Sequence, residues 1–118
     1  RGKASSQDQQ DRRIAAILGN AEAPVTDKTL GRYLKYLKSK LILPCDVNGM
    51  NHERGRKFRL YEVNFDTRDE MYGLIGLAKG LRDRCTYHIP LCDLEAADKT
   101  SDSHKLLDDY SVWFVNNR

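Results

Sequence analysis

The chain has 118 residues, of which 40% are hydrophobic and 31% charged, and its formal net charge is +3. This length is that of one domain, and no apolar run approaches the roughly 20 residues that cross a bilayer, so we expect no contact with a membrane. Three cysteines are too few, and odd in number, for a disulfide framework, which predicts a cytoplasmic protein in a reducing compartment.

Charge is distributed unevenly along the chain. Residues 1–40 hold nine basic and four acidic side chains, whereas residues 93–118 hold three basic and six acidic ones. A basic first part and an acidic last part predict a molecule with two electrostatically different faces.

The first predicted element is a short helix near the N-terminus. Ile14, Ile17 and Leu18 fall at i, i+3 and i+4 within residues 8–18, which is the spacing of one helical face. Residues 1–7 are polar and carry no large apolar group, so we expect a flexible tail there.

A second helix is predicted after a proline-containing linker. Pro24 disfavours helix at the residue before it, whereas Thr26 is a good N-cap. We therefore divide the chain into residues 1–25, a flexible N-terminal tail with a short helix, and residues 26–118, a single α+β domain. The second helix has one apolar stripe, formed by Leu30, Tyr33, Leu34 and Leu37.

Residues 41–92 are typical of a small, kinked sheet. Pro44 in "LILPCDV" predicts an edge or bent strand, and Asn48-Gly49 predicts a turn. "FRLYEVNF" alternates as a strand but changes phase between Leu60 and Tyr61, which indicates a β-bulge or a bend. "MYGLIGLAK" and "CTYHIPLCDL" are two further strands, the second interrupted by a proline.

The last predicted element is a C-terminal helix that closes the core. Its apolar face is formed by Leu106, Leu107, Tyr110, Trp113 and Phe114. The predicted fold class is α+β, with a small curved antiparallel sheet or an SH3-like partial barrel flanked by N-terminal and C-terminal helices.

The C-terminal segment carries a motif as well as a helix. Its residues, in order, are Leu91, Asp93, Leu94, Glu95, Asp98, Lys99, Asp109, Tyr110, Trp113, Phe114 and Asn116. Together with "LILPCDVNGM" upstream, this stretch resembles the bacterial family named for a cyanobacterial calcium-binding protein (CcbP-like), over roughly residues 30–118. The resemblance implies a small calcium-binding or regulatory module, with Ca²⁺ as the bound ion.

Two stretches could supply carboxylates to Ca²⁺, which takes several oxygen ligands. The acidic exit from the fourth strand holds Asp93, Glu95, Asp98 and Asp102, and the turn after the second strand holds Asp66, Asp69 and Glu70. Asp93 and Glu95 point to the same face if this segment is extended. "DVNGMN" offers Asp46, Asn48 and Asn51 but lacks the later ligands of a calcium loop, so we interpret it as a plain turn.

A second hypothesis is an interaction module for an acidic protein or nucleic acid. The loop "ERGRKFR" and the second helix supply its candidate residues, which are Arg54, Arg56, Lys57, Arg59, Arg32 and Lys35. Basic loops on small curved sheets are one way in which nucleic acid is bound.

Catalysis is not predicted. No GxSxG, P-loop or GxGxxG motif is present, and the three histidines fall in different predicted elements, away from any nucleophile. Zinc is not predicted either, because His88 and Cys92 would lie about 13 Å apart on an extended strand.

Overall fold

The computed structural model describes residues 6–65 and 72–118 and contains three helices and five strands. The helices are α1 (Ser6–Leu18), α2 (Asp27–Lys40) and α3 (Asp102–Asn117). The strands are β1 (Cys45–Gly49), β2 (Lys57–Phe65), β3 (Leu74–Gly80), β4 (Thr86–Pro90) and β5 (Leu94–Ala96), with 3₁₀ turns at Asn51–Glu53 and Leu91–Asp93. None of the described helices is both long enough and apolar enough to cross a membrane.

The five strands form one antiparallel sheet in the order β4-β3-β2-β1-β5. The predicted antiparallel sheet, flanked by N-terminal and C-terminal helices, is therefore confirmed. The sheet is open, because its two edge strands, β4 and β5, do not pair with each other in the described part of the chain. A closed β-barrel is thus not what the chain forms, and the SH3-like variant stays a prediction.

The predicted β-bulge lies in β2. The register against β3 shifts between Leu60 and Glu62, so Tyr61 is the extra residue. Phe58 and Leu60 face the core before the bulge and Val63 faces it afterwards, while Tyr61 and Glu62 are both exposed. An extra residue reverses the alternation of a strand, which explains the change of phase in the sequence.

Two local predictions for β1 need correction. β1 lies between β2 and β5, so it is not an edge strand, while the alternative of a bent strand stays a prediction. Pro44 precedes the strand and so removes no hydrogen bond from the ladder. Asn48 and Gly49 belong to β1 and form no turn. Gly49 is needed for a different reason, because a Cβ there would collide with the backbone carbonyl of Glu53.

The helices cover one face of the sheet and fill the core with aromatic rings. Tyr33 of α2 stacks on Trp113 of α3 with ring centroids 5.3 Å apart, and Tyr110 meets Tyr33 edge-on at 5.2 Å. Trp113 is 1% exposed and donates its indole N–H to the carbonyl of Ala23 at 2.8 Å. The prediction of a core-forming C-terminal helix is confirmed.

The N-terminal helix contributes to the same core. Ile14 and Leu18 of α1 are buried. Arg13 donates two hydrogen bonds to the buried carboxylate of Asp109 in α3, at 2.7 and 2.9 Å. The division of the chain at residue 25 stays a prediction.

Candidate metal centre

The acidic segment, residues 93–102, leads from the sheet into α3. Its first part is β5, in which Leu94 and Ala96 are buried and Glu95 between them is half-exposed, as alternation in a strand requires. β5 pairs with β1, so the segment lies beside residues 46–51. The stretch that we predicted as one interrupted strand is thus split by the 3₁₀ turn at Leu91–Asp93 and joins both edges of the sheet.

Asp93 is tied to the chain that follows β1. Its backbone carbonyl accepts a hydrogen bond from the Met50 N–H at 2.7 Å. Its carboxylate accepts another from the Asn51 side-chain amide at 2.9 Å. Asp93 is therefore held by neutral donors and keeps lone pairs for another ligand.

Glu95 and Asp98 both lie near the start of α3. The carboxylate of Glu95 is 3.7 Å from His104 Nε2. The carboxylate of Asp98 accepts hydrogen bonds from the hydroxyl and the backbone N–H of Thr100, at 2.6 and 3.0 Å. The bond from the Thr100 hydroxyl, followed by that from the backbone N–H, lowers the pKa of Asp98 and keeps it ionised.

Asp102 opens α3 and is exposed. Ser101 precedes it as the N-cap and accepts a hydrogen bond from the His104 N–H at 3.1 Å. Asp102 therefore places a negative charge at the positive end of the α3 dipole, where acidic residues ordinarily stabilise a helix.

These carboxylates are not gathered at one point. Within residues 6–65 and 72–118, no group of three or more His, Cys, Asp or Glu side chains is arranged to hold a metal ion. Asp93 ends a 3₁₀ turn and Glu95 lies in a strand, so the expected extended segment begins only after Asp93. Asp66, Asp69 and Glu70 lie outside the described residues.

The backbone just before β3 has a defined position along α3. Gly73 packs against Tyr110 and Phe114, in the C-terminal half of the helix. Asp102 starts the helix eight residues before Tyr110, about 12 Å away at the rise of an α-helix. Gly73 and the acidic residue that opens α3 are thus at different ends of the helix.

Sequence reasoning missed the amide side chains beside the acidic segment. Asn48 lies directly opposite Glu95 in the β1–β5 pair, and Asn51 contacts Asp93. We had interpreted "DVNGMN" as a plain turn because it lacks the later ligands of a continuous calcium loop. Strand pairing can bring such ligands from a distant stretch, which no local motif reveals.

Among the described residues, the carboxylates of the acidic segment lack the arginine partners that several other carboxylates have. Elsewhere, Asp46 pairs with Arg59, Glu53 with Arg56 and Asp109 with Arg13. By contrast, no Lys or Arg of the described chain lies within ion-pair distance of Asp93, Asp98 or Asp102. Hard oxygen anions without a cationic partner are suitable donors for Ca²⁺.

The candidate basic residues fall on two sides of the molecule. Arg54, Arg56, Lys57 and Arg59 are exposed in and before β2. Arg32 and Lys35 are exposed on α2, whose buried side packs against the other face of the sheet. The structure therefore does not join the loop and the helix into one basic surface.

The cysteines form no site in the part of the chain that the structure describes. All three thiols are free; Cys45 and Cys92 are half-buried and Cys85 is exposed. Burial raises the pKa of the Cys45 and Cys92 thiols, so both remain protonated and unreactive.

Comparison with known proteins identifies the family. A solved structure described as a "Calcium binding protein in the calcium-binding form" has the same fold, with a TM-score of 0.67 over 94% of each chain and 17% identity. A search of curated proteins found no significant match. A family model described as calcium binding matches residues 11–114, which is most of the chain. The chain therefore belongs to the CcbP calcium-binding family.

Proposed function

We propose that this protein is a small calcium-binding module and that Ca²⁺ binds along the acidic segment. The observation that carries the proposal is the contrast between its carboxylates and the others described above. Asp93 and Asp98 accept hydrogen bonds from neutral donors, and no described lysine or arginine pairs with them or with Asp102, whereas Asp109 is paired with Arg13. Membership of a calcium-binding family supports the same conclusion.

The arrangement favours a weak site. Ca²⁺ takes 6–8 oxygen ligands, and no cluster of three acidic groups is preformed among residues 6–65 and 72–118. Side chains must therefore be ordered on binding, and each loses rotamer entropy. We expect affinity at the weak end of protein calcium sites, about 10⁻⁴–10⁻³ M.

Two groups of ligands are proposed, one at each end of the segment. Asp93 would act with the oxygen of Asn51 and with the predicted ligands Asp66, Asp69 and Glu70. Glu95, Asp98 and Asp102 would act at the start of α3. Bound Ca²⁺ would neutralise the carboxylates that bind it. It would also fix β5 relative to the residues that supply the other oxygen ligands.

Single substitutions distinguish the two ends. Asp98→Asn and Asp93→Asn each remove one charge with little change in volume. Calorimetry and amide-shift titration at millimolar Ca²⁺ should show at least a tenfold loss of affinity for the variant whose carboxylate is a ligand. Glu22→Gln is the matched control, because Glu22 is exposed in the linker between α1 and α2.

Magnesium provides the second comparison. Mg²⁺ demands tight octahedral geometry and sheds its water reluctantly, so it should compete poorly. If shifts are absent, or spread evenly over all surface carboxylates, the chain has no specific calcium site. We further infer a non-enzymatic, cytoplasmic protein, supported by the lack of a catalytic motif and the low cysteine count.

A further inference from the structure

Two basic segments that are distant in sequence lie side by side at one end of the sheet. Residues 54–59 and 79–84 pair as the neighbouring ends of β2 and β3, with Arg59 opposite Lys79 and the Leu81 N–H bonded to the Lys57 carbonyl at 3.0 Å. We call their seven cationic side chains the basic face; they are Arg54, Arg56, Lys57, Arg59, Lys79, Arg82 and Arg84. The same two segments contain a single carboxylate, Asp83.

Two of these arginines are ion-paired within the fold, whereas three of the other cations are not. Lys79, Arg82 and Arg84 are exposed, and no carboxylate among the described residues is within ion-pair distance of them. Like charges directly opposite each other destabilise a strand pair, yet Arg59 and Lys79 occupy opposite positions. The three cations without a partner among the described residues are therefore suited to an external anion.

Aromatic groups lie among these cations. Tyr61, the bulge residue, is 43% exposed and lines a groove with Arg59, Lys79 and Arg84. A second open groove of about 610 Å³ adjoins it across Gly80 and Leu81. On its wall the guanidinium of Arg56 stacks 4.5 Å from the Tyr87 ring and 5.0 Å from the Phe58 ring.

We propose that the basic face binds single-stranded nucleic acid, with its arginines on the phosphates and Tyr61 stacked against a base. Planar guanidinium groups bind phosphate through two parallel hydrogen bonds, and five of the seven cations are arginine. An exposed ring beside a basic groove is the usual platform for a base. An acidic peptide would use the same charges but would have no need of the exposed Tyr61 ring.

Fluorescence anisotropy with a labelled 20-nucleotide oligothymidine tests the proposal on the whole chain. At low salt we expect saturable binding. The logarithm of the association constant should fall linearly with the logarithm of the salt concentration. Lys79→Ala/Arg84→Ala should weaken binding at least tenfold and reduce the slope by about 1.4, because each lost single-strand phosphate contact removes about 0.7. Arg32→Ala/Lys35→Ala is the matched control and should leave both values unchanged.

Substitutions at Tyr61 separate the contribution of base stacking to binding from the contribution of charge. Tyr61→Ala should weaken binding by about 5- to 150-fold with the salt slope unchanged, whereas Tyr61→Phe keeps the ring and should bind like the original. Circular dichroism and thermal melting show whether each variant is folded. All these measurements are made in chelator, so that calcium binding does not enter.

Three results would overturn the proposal. One is the absence of binding at 20 mM salt, and another is an equal loss in the Arg32/Lys35 control. The third is equally tight binding of a polyglutamate peptide that is insensitive to Tyr61→Ala, which would assign the basic face to an acidic protein instead. None of these outcomes bears on the calcium site, since its residues lie in a different part of the chain.

Discussion

At Gly73 the backbone passes so close to α3 that a side chain has no room. Its φ is +67°, and a Cβ there would overlap the hydroxyl of Tyr110 and the ring of Phe114. The same Tyr110 hydroxyl accepts a hydrogen bond from the Leu74 N–H at 2.8 Å, which starts β3. The glycine therefore lets the backbone meet the helix just before β3 begins.

Gly73→Ala should lower the free energy of unfolding by about 2–4 kcal/mol, combining a left-handed backbone with overpacking. Urea denaturation measures the change. Gly31→Ala is the matched control, because Gly31 lies in α2 with open space around its Cα. Alanine there should stabilise by about 0.5–1 kcal/mol through its helix propensity, and a loss equal to that at Gly73 would contradict the steric explanation.

Asp83 offers a prediction for pH. The hydroxyl of Tyr87 and then the backbone N–H of Cys85 donate hydrogen bonds to its carboxylate and hold the pKa of Asp83 below its ordinary value. A depressed pKa in the folded state stabilises the protein above the ordinary pKa, and this contribution is lost as pH falls through the depressed one. Carboxyl NMR titration should show Asp83 titrating below its ordinary pKa of 3.8, and Tyr87→Phe should raise it.

Among the elements, α3 holds the other two helices in place. Trp113 lies between Tyr33 of α2 and the linker that precedes it, where it meets the Ala23 carbonyl. Trp113→Ala should cost about 3–5 kcal/mol of unfolding free energy, as for other large aromatic residues removed from a core. Val115→Ala, at an exposed position two residues later, should cost less than about 0.5 kcal/mol; similar melting curves for the two variants would refute the core role of Trp113.

The pairing of α1 with α3 depends on Asp109. Its side chain is 4% exposed and accepts hydrogen bonds from Arg13 and from Gln10, the latter at 2.9 Å. Asp109→Asn leaves the guanidinium without a charge partner, and because Arg13 is itself 37% exposed we expect a cost of about 1–3 kcal/mol. Asp108→Asn, at the adjacent exposed carboxylate, should cost less than about 0.5 kcal/mol. If urea denaturation gives the same loss of unfolding free energy for both variants, the burial of Asp109 does not contribute to stability.

Elements were predictable where one local signal decides them. Thr26 caps α2 as expected, accepting from Thr29 in a capping box, and the change of phase in β2 marks a real bulge. The prediction of a turn at Asn48-Gly49 was wrong because glycine is favoured both in tight turns and where two backbone segments approach closely. Which of these two situations applies depends on strand pairing, and strand pairing depends on residues that are distant in sequence.

At the scale of the molecule, the register of strand pairing brings together the residues of the candidate sites. Asn51 and Asp93 are 42 residues apart and touch only because β1 pairs with β5. Arg59 faces Lys79 only because β2 pairs with β3 through a bulge. The types of residue were visible in the sequence, and the acidic segment was found, but which residues meet depends on pairings that no local pattern encodes.

Calcium should stabilise the whole molecule if it binds the folded state alone. At ten times a dissociation constant of about 1 mM, the gain is about 1.4 kcal/mol, which for a chain of this size raises the melting temperature by about 5 °C. Scanning calorimetry in 10 mM calcium chloride measures this, and a chelator should reverse it. Magnesium chloride at equal concentration is the control for ionic strength, since screening of the net charge would act for both salts. A shift that is equal in both, or that persists in Asp93→Asn and Asp98→Asn alike, would show that the acidic segment responds to salt and holds no calcium.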